Sequence, residues 1–221
     1  MRCIILANGE YGDMEAYQSL FQDDDTVLCA DGGANYAYML GVMPDSIIGD
    51  MDSILPEVRE FFEARNVEIQ KFPRHKDFTD TQLALDIAQE WGATEILMLG
   101  TLGRRLDHTL SNLYCGIELV QRGIKLTHFT PEYWVYIINQ DIEIEGKQGD
   151  TVSVLALTQE ARGVSEIGFE YPLENTVLEK SNPYAISNRL ASSKGKIRVQ
   201  EGILAVIHYL QKLEGDSQNL A

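Results

Sequence analysis

Short apolar runs alternate with amphipathic helical segments through the first 130 residues. That alternation limits the possible folds more than any other feature of the chain. Cys3–Ala7, Thr26–Ala30, Ser46–Ile48, Val67–Lys71, Glu95–Leu99 and Lys125–Phe129 read as short β-strands. Between several of them lie helices. Pro56–Arg65 opens with proline at a first-turn position, where a missing N–H costs nothing. In Thr81–Trp91, Leu83, Ala84, Ile87, Ala88 and Trp91 share one face. Asp107–Gly123 reads as one long helix with Leu110, Leu113, Tyr114, Ile117 and Val120 on its apolar side and Gly123 as its stop. Repeated β-α-β units predict a mostly parallel sheet covered on both faces.

From about Tyr133 the helical period disappears. Val135–Ile138, Ile142–Ile144, Thr151–Ala156, Val177–Leu178, Gly195–Val199 and Ile203–Tyr209 read as strands, and Asp141, Gly146, Gln148-Gly149-Asp150 and Asn182-Pro183 supply turn chemistry. This pattern predicts an all-β sandwich or barrel of roughly eighty residues. The polar tail from Leu213 onward is expected to fray.

Charge narrows the partners. Eighteen Lys and Arg against 34 Asp and Glu give a formal charge of −16, which argues against wrapping a nucleic-acid backbone. It leaves ATP open, because a bound cation can balance phosphate locally. Cys3, Cys29 and Cys115 are scattered, with no Cys-x-x-Cys, and Cys3 and Cys29 sit within apolar runs. Buried free thiols and a cytoplasmic location are expected. Met1–Ala7 is too short for a signal-peptide core before Asn8-Gly9, and no run approaches a membrane span.

The candidate chemistry sits where strands end. Asn8-Gly9, Asp31-Gly32-Gly33, Gly49-Asp50 and Gly100-Thr101 each follow a strand directly. In parallel α/β sheets, ligands bind outside the carboxyl ends of the strands, so these turns predict a shared cleft. Any one of them could equally be an ordinary βα turn. Asp50 and Asp52 are two residues apart, and in an extended segment both carboxylates would face one side and reach one hard cation such as Mg²⁺. The competing reading is a solvated turn. Lys76-Asp77-Phe78-Thr79-Asp80 precedes a helix, so Thr79 or Asp80 is a natural N-cap, while Asp80 could also face Asp50 and Asp52, and Lys76 could meet phosphate. Arg104-Arg105, in a glycine turn before Asp107-His108, fits a phosphate clamp. A capping Asp107 with exposed arginines fits the same residues. No Walker loop or dinucleotide fingerprint occurs, and His75, His108, His128 and His208 show no zinc spacing. His208, in an apolar strand, reads as structural.

Taken in order, these clusters resemble the thiamine pyrophosphokinase family in its bacterial form, over nearly the whole chain. The resemblance rests on Asp31-Gly32-Gly33-Ala34-Asn35, Gly49-Asp50-Met51-Asp52-Ser53, Lys76-Asp77-Phe78-Thr79-Asp80 and Gly103-Arg104-Arg105-Leu106-Asp107-His108. In the second half it rests on Gly168-Phe169-Glu170-Tyr171-Pro172-Leu173, Ile186-Ser187-Asn188 and Gly202–Ile207. It implies a mostly parallel, Rossmann-like α/β catalytic domain over residues 1–130, a β-sandwich thiamine-binding domain over 131–213, and a frayed tail over 214–221. It also implies a homodimer with active sites at the subunit interface, and transfer of pyrophosphate from ATP to thiamine with Mg²⁺. The roles carried over are Asp50, Asp52, Asp77 and Asp80 for catalysis, with Asp50, Asp52 and Asp80 holding the metal. Asp31, Asn35, Lys76, Thr79, Arg105, Asp107 and His108 would bind ATP. Tyr171 would stack on thiamine, with Ser187 and Asn188 orienting its pyrimidine. The chain departs from the family at Arg104, where glycine is usual, and Tyr171 stands where animal members have tryptophan. Two other readings compete: an Mg²⁺-dependent transferase acting on another acceptor, and a non-catalytic sensor of a thiamine-like ligand.

Overall fold

The apolar runs of the first half form strands β1 (Arg2–Leu6), β2 (Thr26–Ala30), β3 (Ser46–Gly49), β4 (Glu68–Lys71), β5 (Glu95–Leu99) and β6 (Lys125–Phe129). They pair in parallel in the order β6-β5-β1-β2-β3-β4. The computed structural model describes residues 1–73, 78–103 and 105–210. Lys76, Asp77, Arg104 and the tail 214–221 lie outside the described residues. The chain divides into two units, Met1–Pro131 and Glu132–Ala221.

In the first unit, Cys3, Ile4, Ile5 and Leu6 are all fully buried. Successive strand residues point to opposite faces, so β1 is covered on both. Helices α1 (Glu15–Gln18), α2 (Gly33–Leu40), α3 (Pro56–Glu63), α4 (Asp80–Glu90), α5 (Leu106–Cys115) and α6 (Ile117–Gln121) supply the cover. Among them α4 packs on β1, β2 and β3, α2 on β1 and β2, and α6 on β6. Cys3 and Cys29 are buried free thiols, as expected, and burial pushes the Cys3 thiol up to about 12.

The helix starts follow local rules. Pro56 occupies the first turn of α3. Thr79, not Asp80, caps α4: its Oγ1 accepts from the Gln82 amide at 3.2 Å, and Gln82 Oε1 accepts from the Thr79 amide at 2.8 Å. Asp80 then sits in the first turn, where the helix dipole favours a negative charge. Thr79→Ala should cost about 1 kcal/mol. In a differential scanning experiment the midpoint should fall by about 2–4 °C. An unmoved midpoint would remove the cap from the stability of α4.

Three differences from the sequence reading have physical causes. The long helix expected over Asp107–Gly123 is two helices, α5 and α6, joined at Gly116. A Cβ on Gly116 would lie 1.9 Å from Leu126 Cδ2, so the break is where the chain presses closest onto β6. Asp107 does not cap α5: it lies in the first turn, with Arg105 at the cap position. Helix α2 was not anticipated, because Gly32-Gly33 reads as a turn.

The second unit contains β7 (Tyr133–Ile138), β8 (Ile142–Glu145), β9 (Thr151–Ala156), β10 (Glu160–Ile167), β11 (Leu173–Glu179), β12 (Asn188–Arg189), β13 (Lys194–Arg198) and β14 (Leu204–Tyr209). Within it β12-β9-β14-β7 form one antiparallel arrangement and β11-β10-β13-β8 another. Val152, Val154, Leu204 and Val206 from the first join Ile144, Val164, Leu178 and Ile197 from the second in one core cluster. His208 is buried with its Nε2 3.0 Å from Asp150 Oδ2, the structural role expected of it. Strands β10 and β12 were not anticipated. In β10, Gly163 at φ +66° interrupts the alternation that reveals a strand, and the register with β11 shifts around Val164.

Candidate functional site

The strand order reverses at β1: β2, β3 and β4 extend the sheet on one side, β5 and β6 on the other. A crevice forms at such a switch point because the connections leave in opposite directions. Here it is a cleft of about 790 Å³ lined by the turns after β1, β2 and β5. Close approach of backbone shapes it. A Cβ on Gly9 would lie 2.1 Å from the Gly100 carbonyl oxygen, so the turns after β1 and β5 meet only because residue 9 is glycine.

Carboxylates gather at this edge. Asp31, Asp50 and Asp52 each offer an oxygen within 4.8 Å of the other two. The geometry corrects the expected extended Asp-x-Asp segment: Met51 adopts φ +68°, and the chain turns so that the Asp52 amide donates to Asp50 Oδ1 at 3.1 Å. The carboxylates converge through a turn rather than through strand alternation. Asp31 also holds a positive φ, +46°, while its amide donates to Ile48 O at 2.7 Å. Backbone held in this region marks a position that its surroundings over-determine. Gly49 brings Asp80 in, since a Cβ there would meet Asp31 Cβ at 2.9 Å and Asp80 Oδ1 at 3.0 Å. Burial raises the Asp31 carboxyl above its ordinary value and the Asp80 charge adds to the rise, while hydrogen bonds from Ser53 oppose it. Such a set of hard oxygen donors fits a divalent cation such as Mg²⁺. Asp31 belongs to the convergent set, although the sequence reading placed it with the nucleotide.

The remaining first-unit residues take distinct places. Asn35 commits its side chain to the loop after Asp52: Nδ2 donates to Ser53 O at 2.9 Å, and Oδ1 accepts from the Leu55 amide at 2.9 Å. Arg105 and His108 line the cleft. Arg105 forms a forked pair with Asp107, at 2.6 and 3.2 Å, which raises the guanidinium pKa and lowers that of the carboxyl. Thr79 spends its hydroxyl on the helix cap.

Several lining residues escaped the sequence reading. Tyr36 stacks on Tyr11 at 3.9 Å between centroids and forms part of the wall. Thr101 is gripped by two buried groups: Asn112 Nδ2 donates to its carbonyl at 2.6 Å, and its hydroxyl lies 2.7 Å from His128 Nδ1. Burial lowers the His128 pKa to about 3, so the imidazole is a neutral hydrogen-bonding strut. None of these residues falls in a dense motif, and only the turn at Gly100-Thr101 gave a signal.

In the second unit, Tyr171 is 71% exposed and backbone contacts hold it. Its amide donates to Asn188 Oδ1 at 3.1 Å, and its carbonyl accepts from Asn188 Nδ2 at 2.8 Å. Ser187 is exposed, has φ +61°, and donates its amide to Ser153 Oγ at 3.0 Å.

Fold and site together define an α/β protein with an acidic cleft at a strand switch point, where open α/β sheets bind their ligands. The family model for the catalytic domain of thiamin pyrophosphokinase matches residues 17–128, and that for its vitamin B1 binding domain matches residues 137–204. Thiamine pyrophosphokinase 1 of Arabidopsis thaliana is 34% identical over 206 residues, spanning 81% of this chain and 76% of the relative. Thiamine pyrophosphokinase of Bacillus subtilis is 29% identical over 170 residues, spanning 76% and 79%. The crystal structure of thiamine pyrophosphokinase from Bacillus subtilis superposes with a TM-score of 0.87 at 25% identity, covering 96% of this chain and all of that one. The Candida albicans enzyme shares the fold, with a TM-score of 0.78 at 17% identity. The chain belongs to the thiamin pyrophosphokinase family.

Proposed function

We propose that the chain is a thiamine pyrophosphokinase, converting ATP and thiamine into AMP and thiamine diphosphate. The observation that carries this reading is the convergence of Asp31, Asp50 and Asp52 beside the cleft of the unit matched by the family's catalytic domain. In the reaction the thiamine hydroxyl oxygen attacks the β-phosphorus of ATP. The bond from that phosphorus to the oxygen bridging to the α-phosphorus breaks, and AMP leaves with that oxygen. The hydroxyl proton passes to a base. Such transfer depends on alignment and charge neutralisation rather than covalent help. Asp50 and Asp52, with Asp31 and Asp80, would hold Mg²⁺. When bound, the ion would neutralise phosphate charge. Arg105 would exchange its Asp107 partner for phosphate oxygens, with Lys76 as a second cation. His108 would border the nucleotide, and Asp77 is a candidate for the base.

The first unit is read as a Rossmann-like catalytic domain over residues 1–130, supported by the parallel strand order and its reversal at β1. The second is read as a β-sandwich over 131–213, supported by a single core shared by two antiparallel arrangements. Thiamine would stack on Tyr171, whose exposed ring suits a cationic thiazolium, with Ser187 beside it. Asn188 would act by holding Tyr171 in place. A homodimer is proposed in which the catalytic domain of one subunit and the thiamine-binding domain of its partner build each site. The exposed apolar side chains Ile167, Tyr171, Tyr184 and Ile186 support it. Among the described residues, no helix is long and apolar enough to cross a membrane.

Tyr171→Ala should raise the KM for thiamine by about tenfold and leave that for ATP unchanged, as loss of a stacked cation contact predicts. Steady-state kinetics would measure this, and an unchanged thiamine KM would end the stacking assignment. The reaction itself is tested by an acceptor screen with ATP. AMP release that depends on thiamine is expected. ADP release, or AMP release with another alcohol only, would overturn the reading.

A further inference from the structure

Glu166 is an ionisable side chain with 1% exposure in the second unit, and the site chemistry proposed above does not use it. It lies on β10 and borders a second hollow, of about 530 Å³, with Ser165, Asp141 and Arg198. Its Oε2 accepts from Asn188 Nδ2, while Oε1 has no hydrogen-bond partner among the described residues. A buried carboxylate served by one neutral donor stabilises a core less than an apolar side chain of the same size. Core stability alone therefore does not account for it.

Its partner links it to the exposed tyrosine. Asn188 is 5% exposed, and every bonding position of its amide is used within the chain. Nδ2 donates to Glu166 and to Tyr171 O, and Oδ1 accepts from the Tyr171 amide at 3.1 Å and the Arg189 amide at 2.9 Å. The segment Gly168–Tyr171 is threaded beside β12, with the Glu170 amide donating to Arg189 O at 2.9 Å and the Ala191 amide to Gly168 O at 2.9 Å. Phe169, 5% exposed, is its apolar anchor, and the Asn188 amide is its polar one. The Tyr171 ring is thus aimed by its backbone, and Glu166 fixes the orientation of the amide that grips that backbone. Without an acceptor at Glu166, one buried Asn188 N–H would lose its partner, and the amide could gain one only by rotating away from Tyr171.

We infer that Glu166 is a positioning residue for thiamine recognition: through Asn188 it holds the turn that presents Tyr171, and so it sets thiamine affinity without touching the reacting groups. The inference rests on the proposed thiamine reading. The test is steady-state kinetics on the full chain and on the variants Glu166→Ala, Glu166→Leu, Glu166→Gln and Tyr171→Ala, each checked by thermal unfolding. Glu166→Leu keeps most of the volume, so it serves if Glu166→Ala does not fold. The folded apolar variants should raise the KM for thiamine by about tenfold, the scale of leaving a buried N–H without its acceptor, with ATP KM unmoved and kcat changed by less than about twofold. Glu166→Gln retains an acceptor for Asn188 and should recover most of that affinity. If Tyr171→Ala raises the thiamine KM and the folded apolar variants do not, the inference is overturned and the thiamine reading stands. A lowered kcat or melting midpoint at unchanged thiamine KM assigns Glu166 to stability alone. Absence of thiamine turnover by the unsubstituted chain overturns both.

Discussion

Asp52→Asn is expected to lower kcat by at least about a hundredfold, which corresponds to about 2.7 kcal/mol of lost transition-state stabilisation. The fold should not suffer. Asp52 is exposed, and its side chain accepts from Ser53 Oγ at 3.0 Å, a bond that the asparagine oxygen can also accept. Removing one charge from a group that includes Asp31 and Asp50 also relieves like-charge repulsion. The melting midpoint should therefore stay level or rise, as happens when a functional cluster is neutralised. Kinetics at saturating ATP and thiamine, beside a melting curve, separate the two effects. Full turnover in a well-folded Asp52→Asn protein would remove Asp52 from the metal set.

The second large effect concerns pH. Burial pushes the Glu166 carboxyl up from its ordinary value of 4.5 to about 7, against the opposing hydrogen bond from Asn188. Between these values the folded protein holds a proton that the unfolded chain has lost. The contribution of Glu166 to stability is thus fully present below about pH 4.5 and is lost as pH rises through about 7. Glutamine in its place cannot ionise. Glu166→Gln should gain stability relative to the parent by about 3 kcal/mol between pH 4.5 and pH 8, the scale set by that pKa difference. Asp107, Asp141 and Glu145, whose pKa values are lowered by basic partners, shift with pH in the opposite sense, but they are common to both proteins and cancel in the difference. Urea titrations at a series of pH values would read it. Parallel curves for the two proteins would contradict the buried, proton-holding state of Glu166.

The first-unit strands were legible because buried parallel strands are written as unbroken apolar runs, and all six lie within a residue or two of where periodicity puts them. Asp31, Asp50 and Asp52 were legible as cleft residues because each lies in a turn after such a run, although Asp31 was assigned to the nucleotide rather than to the cation. Their geometry was not, since the left-handed backbone at Asp31 and Met51 leaves no mark in a non-glycine sequence. Asn35 could be placed near the cleft, but not its grip on Ser53 and Leu55, which depends on how a later loop returns to α2. Tyr11, Tyr36, Asn112 and His128 were invisible for a related reason: each matters through a partner distant in sequence or through a stacking contact. Glu166 is the clearest case. It lies in a stretch that carried no strand signal and belongs to none of the motifs, and strand β10 turns it inward toward Asn188. Composition reveals charges, but the pairing of non-adjacent strands decides which charges are buried.

The central claim is transfer of a pyrophosphoryl group to thiamine, and a phosphorus NMR time course with ATP, Mg²⁺ and thiamine tests it most directly. AMP and thiamine diphosphate should appear in equal amounts from the first spectra, with no thiamine monophosphate preceding them, and chelation by EDTA should stop both. Appearance of ADP with thiamine monophosphate would contradict the account, because it would place the attack on the γ-phosphorus rather than the β-phosphorus.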